Sequence, residues 1–209
     1  MLTLSRADRV LLSPLSWQQF EDLLGILGDR RSARLAYDQG TLEIMTPLPE
    51  HEYYKEHLGD VIKAIAECLD LDFACYGSST WKREKMATGV EPDNCFYFQH
   101  EPLIRGQLQF DLEQDPPPDL VLEVDLTHKS LPRFPLYARL GIPEIWCYDA
   151  GSLKIYQLHQ GVYQETARSG IFPALAITEL PQLMESYRLL GRRRFRHAIR
   201  EWIESQILA

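Results

Sequence analysis

The stretch Asp119-Leu120-Val121-Leu122-Glu123-Val124-Asp125-Leu126 decides how the rest of the chain is read. Side chains of a strand alternate between its two faces. Leu120, Leu122, Val124 and Leu126 therefore share one side, and Asp119, Val121, Glu123 and Asp125 the other. The run follows Pro116-Pro117-Pro118 and has the aliphatic density of a central strand. Glu123 sits inside it, between Leu122 and Val124, where an unpaired carboxylate would cost several kcal/mol or stay protonated. Two partners satisfy such a group: a basic side chain of the protein, or a divalent cation.

Working outward, residues 131–140 have helical character, with Ser130 available as a cap, Gly141 as a stop and Pro135 in the first turn. Glu144–Asp149 forms the next strand, a hairpin is expected over 153–166, and a helical pattern runs from about 178 to 206. Upstream, 101–118 is loop-like, and 72–84 and 91–98 are expected strands. Residues 51–69 carry the longest helical pattern, 34–45 a hairpin about Asp38-Gln39-Gly40, and 15–28 a helix opened by Ser16 and closed by Gly28. Helices and strands alternate without repeats or a flexible linker. The expectation is one mixed α/β (α+β) domain over residues 1–209, with its core at about 15–150. A hairpin and helical C-terminal extension follows at about 151–209.

Composition narrows the function classes. The 209 residues hold 22 Lys+Arg and 30 Asp+Glu, a formal charge of −8, with 45% apolar and 25% charged residues. These proportions exclude a disordered or low-complexity chain. The acid excess argues against coating nucleic acid by bulk charge and leaves local binding open. Cys68, Cys75, Cys95 and Cys147 form no CxxC pair, so buried, reduced thiols of a cytoplasmic protein are expected rather than a zinc ribbon or disulfide framework. No apolar run approaches the ~18 residues of a membrane span, and the charged N-terminus is unlike a signal peptide.

Six carboxylates between Asp111 and Asp125 have no Lys or Arg among them. Asp111, Glu113 and Asp115 read as a solvated loop. Mg²⁺ takes only one or two protein carboxylates, because water and substrate phosphate complete its octahedron. Asp93, in Glu91-Pro92-Asp93 at the opening of the preceding strand, supplies a second donor for Glu123.

Together these residues carry a resemblance. Their order resembles the restriction-endonuclease-like core of the PD-(D/E)xK nucleases, and more specifically the bacterial Uma2 (DUF820) family, described as endonucleases and numerous in cyanobacteria. The pieces that match are the Arg34–Met45 hairpin, Pro49-Glu50-His51, Glu91-Pro92-Asp93, Pro118 to Val124, and Tyr137 to Asp149. The resemblance implies a metal-dependent DNA endonuclease that uses Mg²⁺ or Mn²⁺, with Asp93 and Glu123 as the metal carboxylates. DNA is the implied partner, and a second copy of the chain is another, since many nucleases of this fold act as homodimers.

The family pattern also expects a Lys, and here the sequence departs from it. The Glu-x-Lys position holds Asp125. The resemblance places the family's Lys four residues before Tyr137, and that position holds Arg133. Arg keeps the charge and can clamp phosphate bidentately, but its pKa is too high for it to take a proton from water. Lys129, on the loop before the helix, is the other candidate cation. His51 matches a family His at the start of the long helix, with Glu50 and Glu52 beside it. Asp119 shares the Glu123 face about 13 Å away by strand rise and is a further candidate ligand.

The C-terminal cluster Arg188, Arg192, Arg193, Arg194, Arg196 and Arg200 has two readings: the solvated face of a terminal helix, or a grip on phosphate backbone. Two alternatives to an active nuclease stand beside it. One is a catalytically impaired nuclease-like module that binds DNA. The other is a glycoside hydrolase using Glu123 with Asp119 or Asp93, which the resemblance does not support.

Overall fold

The structure, a computed structural model, describes residues 9–28, 32–125 and 130–207. Strand β1 (Arg9–Leu12) leads into helix α1 (Trp17–Leu27), which is closed at its start by a capping box between Ser16 and Gln19 and at its end by Gly28. The hairpin β2 (Arg34–Asp38) and β3 (Thr41–Met45) follows. Then come α2 (Pro49–Cys68), β4 (Ala74–Cys75), β5 (Trp81–Arg83), β6 (Thr88–Val90) and β7 (Asn94–Tyr97). A short α3 (Glu101–Ile104) precedes β8 (Leu120–Val124), α4 (Phe134–Leu140) and β9 (Glu144–Asp149). The chain finishes with β10 (Ser152–His159), β11 (Val162–Thr166), α5 (Leu180–Tyr187) and α6 (Arg192–Ile207).

The strands form two sheets, ordered β1-β3-β2-β6-β5 and β11-β10-β9-β8-β7-β4. In the six-stranded sheet only β8 and β9 are parallel; α4 makes the crossover between them. One face of this sheet presents Leu120, Leu122 and Val124 to α2, α5 and α6 through Leu58, Ile62, Ile65, Met184 and Ile199. The other face presents Cys95, Tyr97 and Val121 to α4 and to the five-stranded sheet, through Leu136, Tyr137, Ala36, Trp81 and Val90. Both faces are covered, so every residue of β8 is buried. Helix α1 covers the far side of the five-stranded sheet, where Phe20 stacks on Tyr37 at 4.7 Å between ring centres.

Several expectations need correction. The strand expected at 72–84 is divided: β4 joins the six-stranded sheet and β5 the five-stranded one, with Tyr76-Gly77-Ser78-Ser79-Thr80 between them. Strand β6 was missed because Thr88-Gly89-Val90 is too short to show a period; its Gly89 is required, since a Cβ there would lie 2.7 Å from the Phe20 ring. The expected helix 178–206 breaks at Gly191, whose φ of +84° belongs to the left-handed region. Helix α4 begins at Phe134, with Arg133 rather than Ser130 at its N-cap. Among the cysteines only Cys95 is buried, and burial pushes its thiol up to about 12; Cys68 is exposed. Among the described residues no helix is long and apolar enough to cross a membrane.

Candidate active site

Strand register brings Asp93 and Glu123 together. Strands β7 and β8 run antiparallel, with Cys95 opposite Val121 and Asn94 opposite Leu122. One further step sets Asp93 against Glu123, and alternation puts both on the Cys95–Val121 face. Each is 2% exposed. The Asp93 Oδ2 accepts the backbone N–H of Val124 at 2.7 Å, which ties the start of β7 to the end of β8. His51 Nε2 lies 3.1 Å from the same oxygen. The Tyr137 hydroxyl donates to Glu123 Oε1. Burial pushes that phenol well above its ordinary value, against an opposing pull from Arg133, so it stays protonated and remains the donor.

His51 reaches the site because it lies on the buried stripe of α2, in phase with Leu58, Ile62 and Ile65. The helix packs closely on β7: a Cβ at Gly59 would sit 2.9 Å from Asn94 Nδ2, next to Asp93 in sequence. Glu50 is exposed, whereas Glu52 is held by Lys55 at 2.7 Å and lies 3.6 Å from both Arg34 and His51 Nδ1. On the other side of Pro92, Glu91 is clamped to the five-stranded sheet. It accepts from the Leu35 N–H at 2.9 Å and from the Thr80 hydroxyl at 2.6 Å.

Arg133 is buried and points at Glu43, its Nη2 2.7 Å from Oε1. Glu43 lies opposite Ala36 in the β2–β3 hairpin, on the side facing α4, and is completely buried. Its other oxygen accepts the N–H groups of Ser130 at 2.9 Å and Leu131 at 3.1 Å. One carboxylate thus fixes the end of the β8–α4 connection and the guanidinium that follows it. Arg133 Nη1 is buried and makes no hydrogen bond among the described residues. Lys129 lies outside the described residues. Sequence reasoning missed Glu43, although Leu42-Glu43-Ile44 repeats the pattern of Leu122-Glu123-Val124 and could have marked it.

The structure does not bring Asp119 to Asp93 and Glu123. Asp119 lies before the first residue of β8, at the opposite end of the strand. There its Oδ2 accepts the N–H groups of Phe98 at 2.7 Å and His100 at 3.0 Å, and its Oδ1 lies 2.7 Å from His100 Nδ1. The loop carboxylates Asp111 and Glu113 are exposed, as a solvated loop requires. In α6 the apolar residues Phe195, Ala198, Ile199 and Ile203 anchor the helix, with Arg192 held by Asp60 at 2.6 Å. Arg193, Arg194 and Arg196 are exposed.

Among the described residues no three His, Cys, Asp or Glu side chains form a group that could hold a metal ion. Asp93 and Glu123 offer two hard oxygen donors, the number Mg²⁺ or Mn²⁺ commonly takes from protein and a set unlike the thiolate and imidazole cages of zinc. The donor chemistry of the pair therefore fits such an ion.

Two sheets packed on each other, with a carboxylate pair at one end of the central strands, are the frame of the candidate site, and a solved structure shares the fold. A crystal structure of a "putative nuclease belonging to DUF820" from Anabaena variabilis is similar at a TM-score of 0.53 and 11% identity, over 91% of this chain and 99% of that one. The model of the Uma2 family, described as "Putative restriction endonuclease", matches residues 17–188, and the chain belongs to that family. No curated protein matches the sequence.

Proposed function

We propose that the chain is a divalent-metal-dependent endonuclease acting on DNA. The observation that carries this reading is the meeting of Asp93 and Glu123 on one face of adjacent strands, both buried and both held by their own donors. These two carboxylates would hold Mg²⁺ or Mn²⁺. When bound, the ion supplies neutralisation of charge on the scissile phosphate and a water of lowered pKa. The protein does the positioning. Val124 N–H and His51 orient Asp93, and the Tyr137 hydroxyl orients Glu123. Arg133 is paired with Glu43, and its Nη1, buried and without a hydrogen bond among the described residues, would be a donor left for phosphate.

A second reading keeps the fold and the DNA binding but loses turnover. It is favoured by Arg133, which stands where the family pattern expects a Lys and is committed to Glu43. Cleavage of plasmid and single-stranded DNA with Mg²⁺ or Mn²⁺, comparing wild type with Glu123→Gln, separates the two. The nuclease reading expects loss of cleavage in the variant, and equal cleavage by both proteins would overturn it. DNA binding with a metal-dependent rise in Tm, but no cleavage by wild type, would establish the second reading. Arg133→Lys asks whether the family's residue raises the rate.

A further inference from the structure

A cavity of about 490 Å³ opens where β2 meets the β4–β5 loop, lined by Arg34, Tyr76, Ser78, Ser79, Thr80 and Glu91 among others but not by Asp93 or Glu123. Two routes connect it to Asp93. Glu91 is two residues away through Pro92. Arg34 lies 3.6 Å from Glu52, the chain neighbour of His51, which itself touches Asp93. The volume suits one unit of a polymer or a small ligand.

The chemistry of the walls is selective. The Arg34 side chain is only 12% exposed, so its charge is largely desolvated. Its Nε is buried and makes no hydrogen bond among the described residues. Its carboxylate neighbour Glu52 is shared with Lys55, which holds it much more closely at 2.7 Å. Glu52 therefore leaves the Arg34 guanidinium without a close hydrogen-bonded partner. Facing it is a hydroxyl-rich turn. Ser79 is spent on the Tyr76 carbonyl at 2.7 Å, while the half-buried Ser78 hydroxyl makes no hydrogen bond among the described residues. Glu91 keeps its charge in the cavity wall, but its oxygens are directed to the Leu35 N–H and the Thr80 hydroxyl, and it makes no ion pair with Arg34 among the described residues. A largely buried guanidinium with an unbonded Nε, across from an available hydroxyl, can receive a phosphate oxygen.

We infer that this cavity holds a neighbouring nucleotide of the DNA strand, its phosphodiester on Arg34 and Ser78, and so sets which bond of the backbone is presented to Asp93 and Glu123. The inference rests on the nuclease reading above and adds to it a second phosphate subsite, built from β2 and the β4–β5 loop. Its contribution is to binding and register.

The test is binding of a fluorescently labelled DNA oligonucleotide to the full chain in EDTA, where cleavage does not interfere, over about 50 to 200 mM salt. Arg34→Gln should weaken binding roughly tenfold and lower the salt slope by about one. Ser78→Asp, in the turn between β4 and β5, should weaken binding in the same direction. Folding of both variants is checked by thermal unfolding, and Ser78→Asp decides the matter if Arg34→Gln does not fold. Wild type that cleaves DNA while the folded variants bind as it does overturns the subsite and leaves the nuclease reading standing. Binding that depends on Arg34 without cleavage by wild type leaves the subsite standing and removes turnover. Absence of DNA binding by wild type in EDTA overturns the subsite, and the cleavage assay with Mg²⁺ or Mn²⁺ still decides the nuclease reading.

Discussion

The two ends of strand β8 hold the same kind of residue and use it differently. At one end Asp93 and Glu123 face each other across β7 and β8; at the other Asp119 adjoins Leu120, whose partner in β9 is Glu144. All four carboxylates are 2% exposed. Glu144 accepts from Trp146 Nε1 at 2.7 Å, Ser169 Oγ at 2.5 Å, Gly170 N–H at 2.6 Å and Gln157 Nε2 at 3.2 Å. Asp119 takes two backbone N–H groups and His100. These are knots that tie a loop to a sheet end, made largely of non-titrating donors. At the Asp93–Glu123 end the named neighbours are the Val124 N–H, His51 at 3.1 Å and the Tyr137 hydroxyl; a cavity of about 230 Å³ lies at the other end, lined by Asp119 and Glu144 among others. Neither the burial of a carboxylate nor a cavity beside it is thus a guide to its role; its set of donors is.

The contrast can be broken at several points. The largest effect is expected at Glu123: Glu123→Gln should lower plasmid cleavage by about 100-fold or more, since metal assistance is worth several kcal/mol, while Tm moves little. Glu144→Leu should do the reverse. Stranding the buried donors of Trp146, Ser169 and Gly170 should cost about 3 kcal/mol, seen as a Tm drop on the order of 10 °C, without a specific loss of the metal response. If Glu144→Leu abolishes the rise of Tm with Mn²⁺ while remaining folded, the two ends are not functionally distinct.

Smaller effects sharpen the same line. Tyr137→Phe keeps the ring in the core and removes the donor to Glu123. It should lower cleavage roughly tenfold with about 1 kcal/mol of stability lost, and an unchanged rate would mean that Glu123 needs no such orientation. Asp119→Asn should destabilise by about 1–3 kcal/mol and leave the Mn²⁺-induced shift of Tm as in wild type. A lost shift would return Asp119 to the set of candidate metal ligands. The smallest effect is expected far from either end. Reversing charge at Arg193 and Arg194 should lower the salt slope of DNA binding by about one for each phosphate that the helix no longer neutralises. An unaltered slope would leave the exposed face of α6 as a solvated surface.

Much of the site was legible because it is local. Leu122-Glu123-Val124 shows a carboxylate inside an aliphatic strand, and Pro92-Asp93 shows one at a strand start; each needs only the two-residue period of β structure to be placed on a face. The helix α1 and the β2–β3 hairpin were legible for the same reason, through Ser16, Gly28 and the Asp38-Gln39-Gly40 turn. Glu43 was not, because a strand with one polar face looks solvent-facing until the layer that covers it is known. The same gap placed Asp119 with Glu123: alternation assigns a side but says nothing about which loop will cap the strand's first residue.

The sequence by itself determined the alternation of elements, the two carboxylates and their order in the chain, and the departure at Arg133. The elements and the carboxylates rest on short-range geometry, the fixed periods of helix and strand; the departure at Arg133 rests on the resemblance to the Uma2 family. Tertiary structure alone decided that β7 and β8 are neighbours in the register that sets Asp93 against Glu123, and that Arg133 turns to Glu43. It also split residues 72–84 between two sheets, opening the cavity at Arg34. Those outcomes depend on which elements pack against which, and hence on desolvation and hydrogen-bond partners supplied from far along the chain, as when Glu43 meets Arg133 across 90 residues.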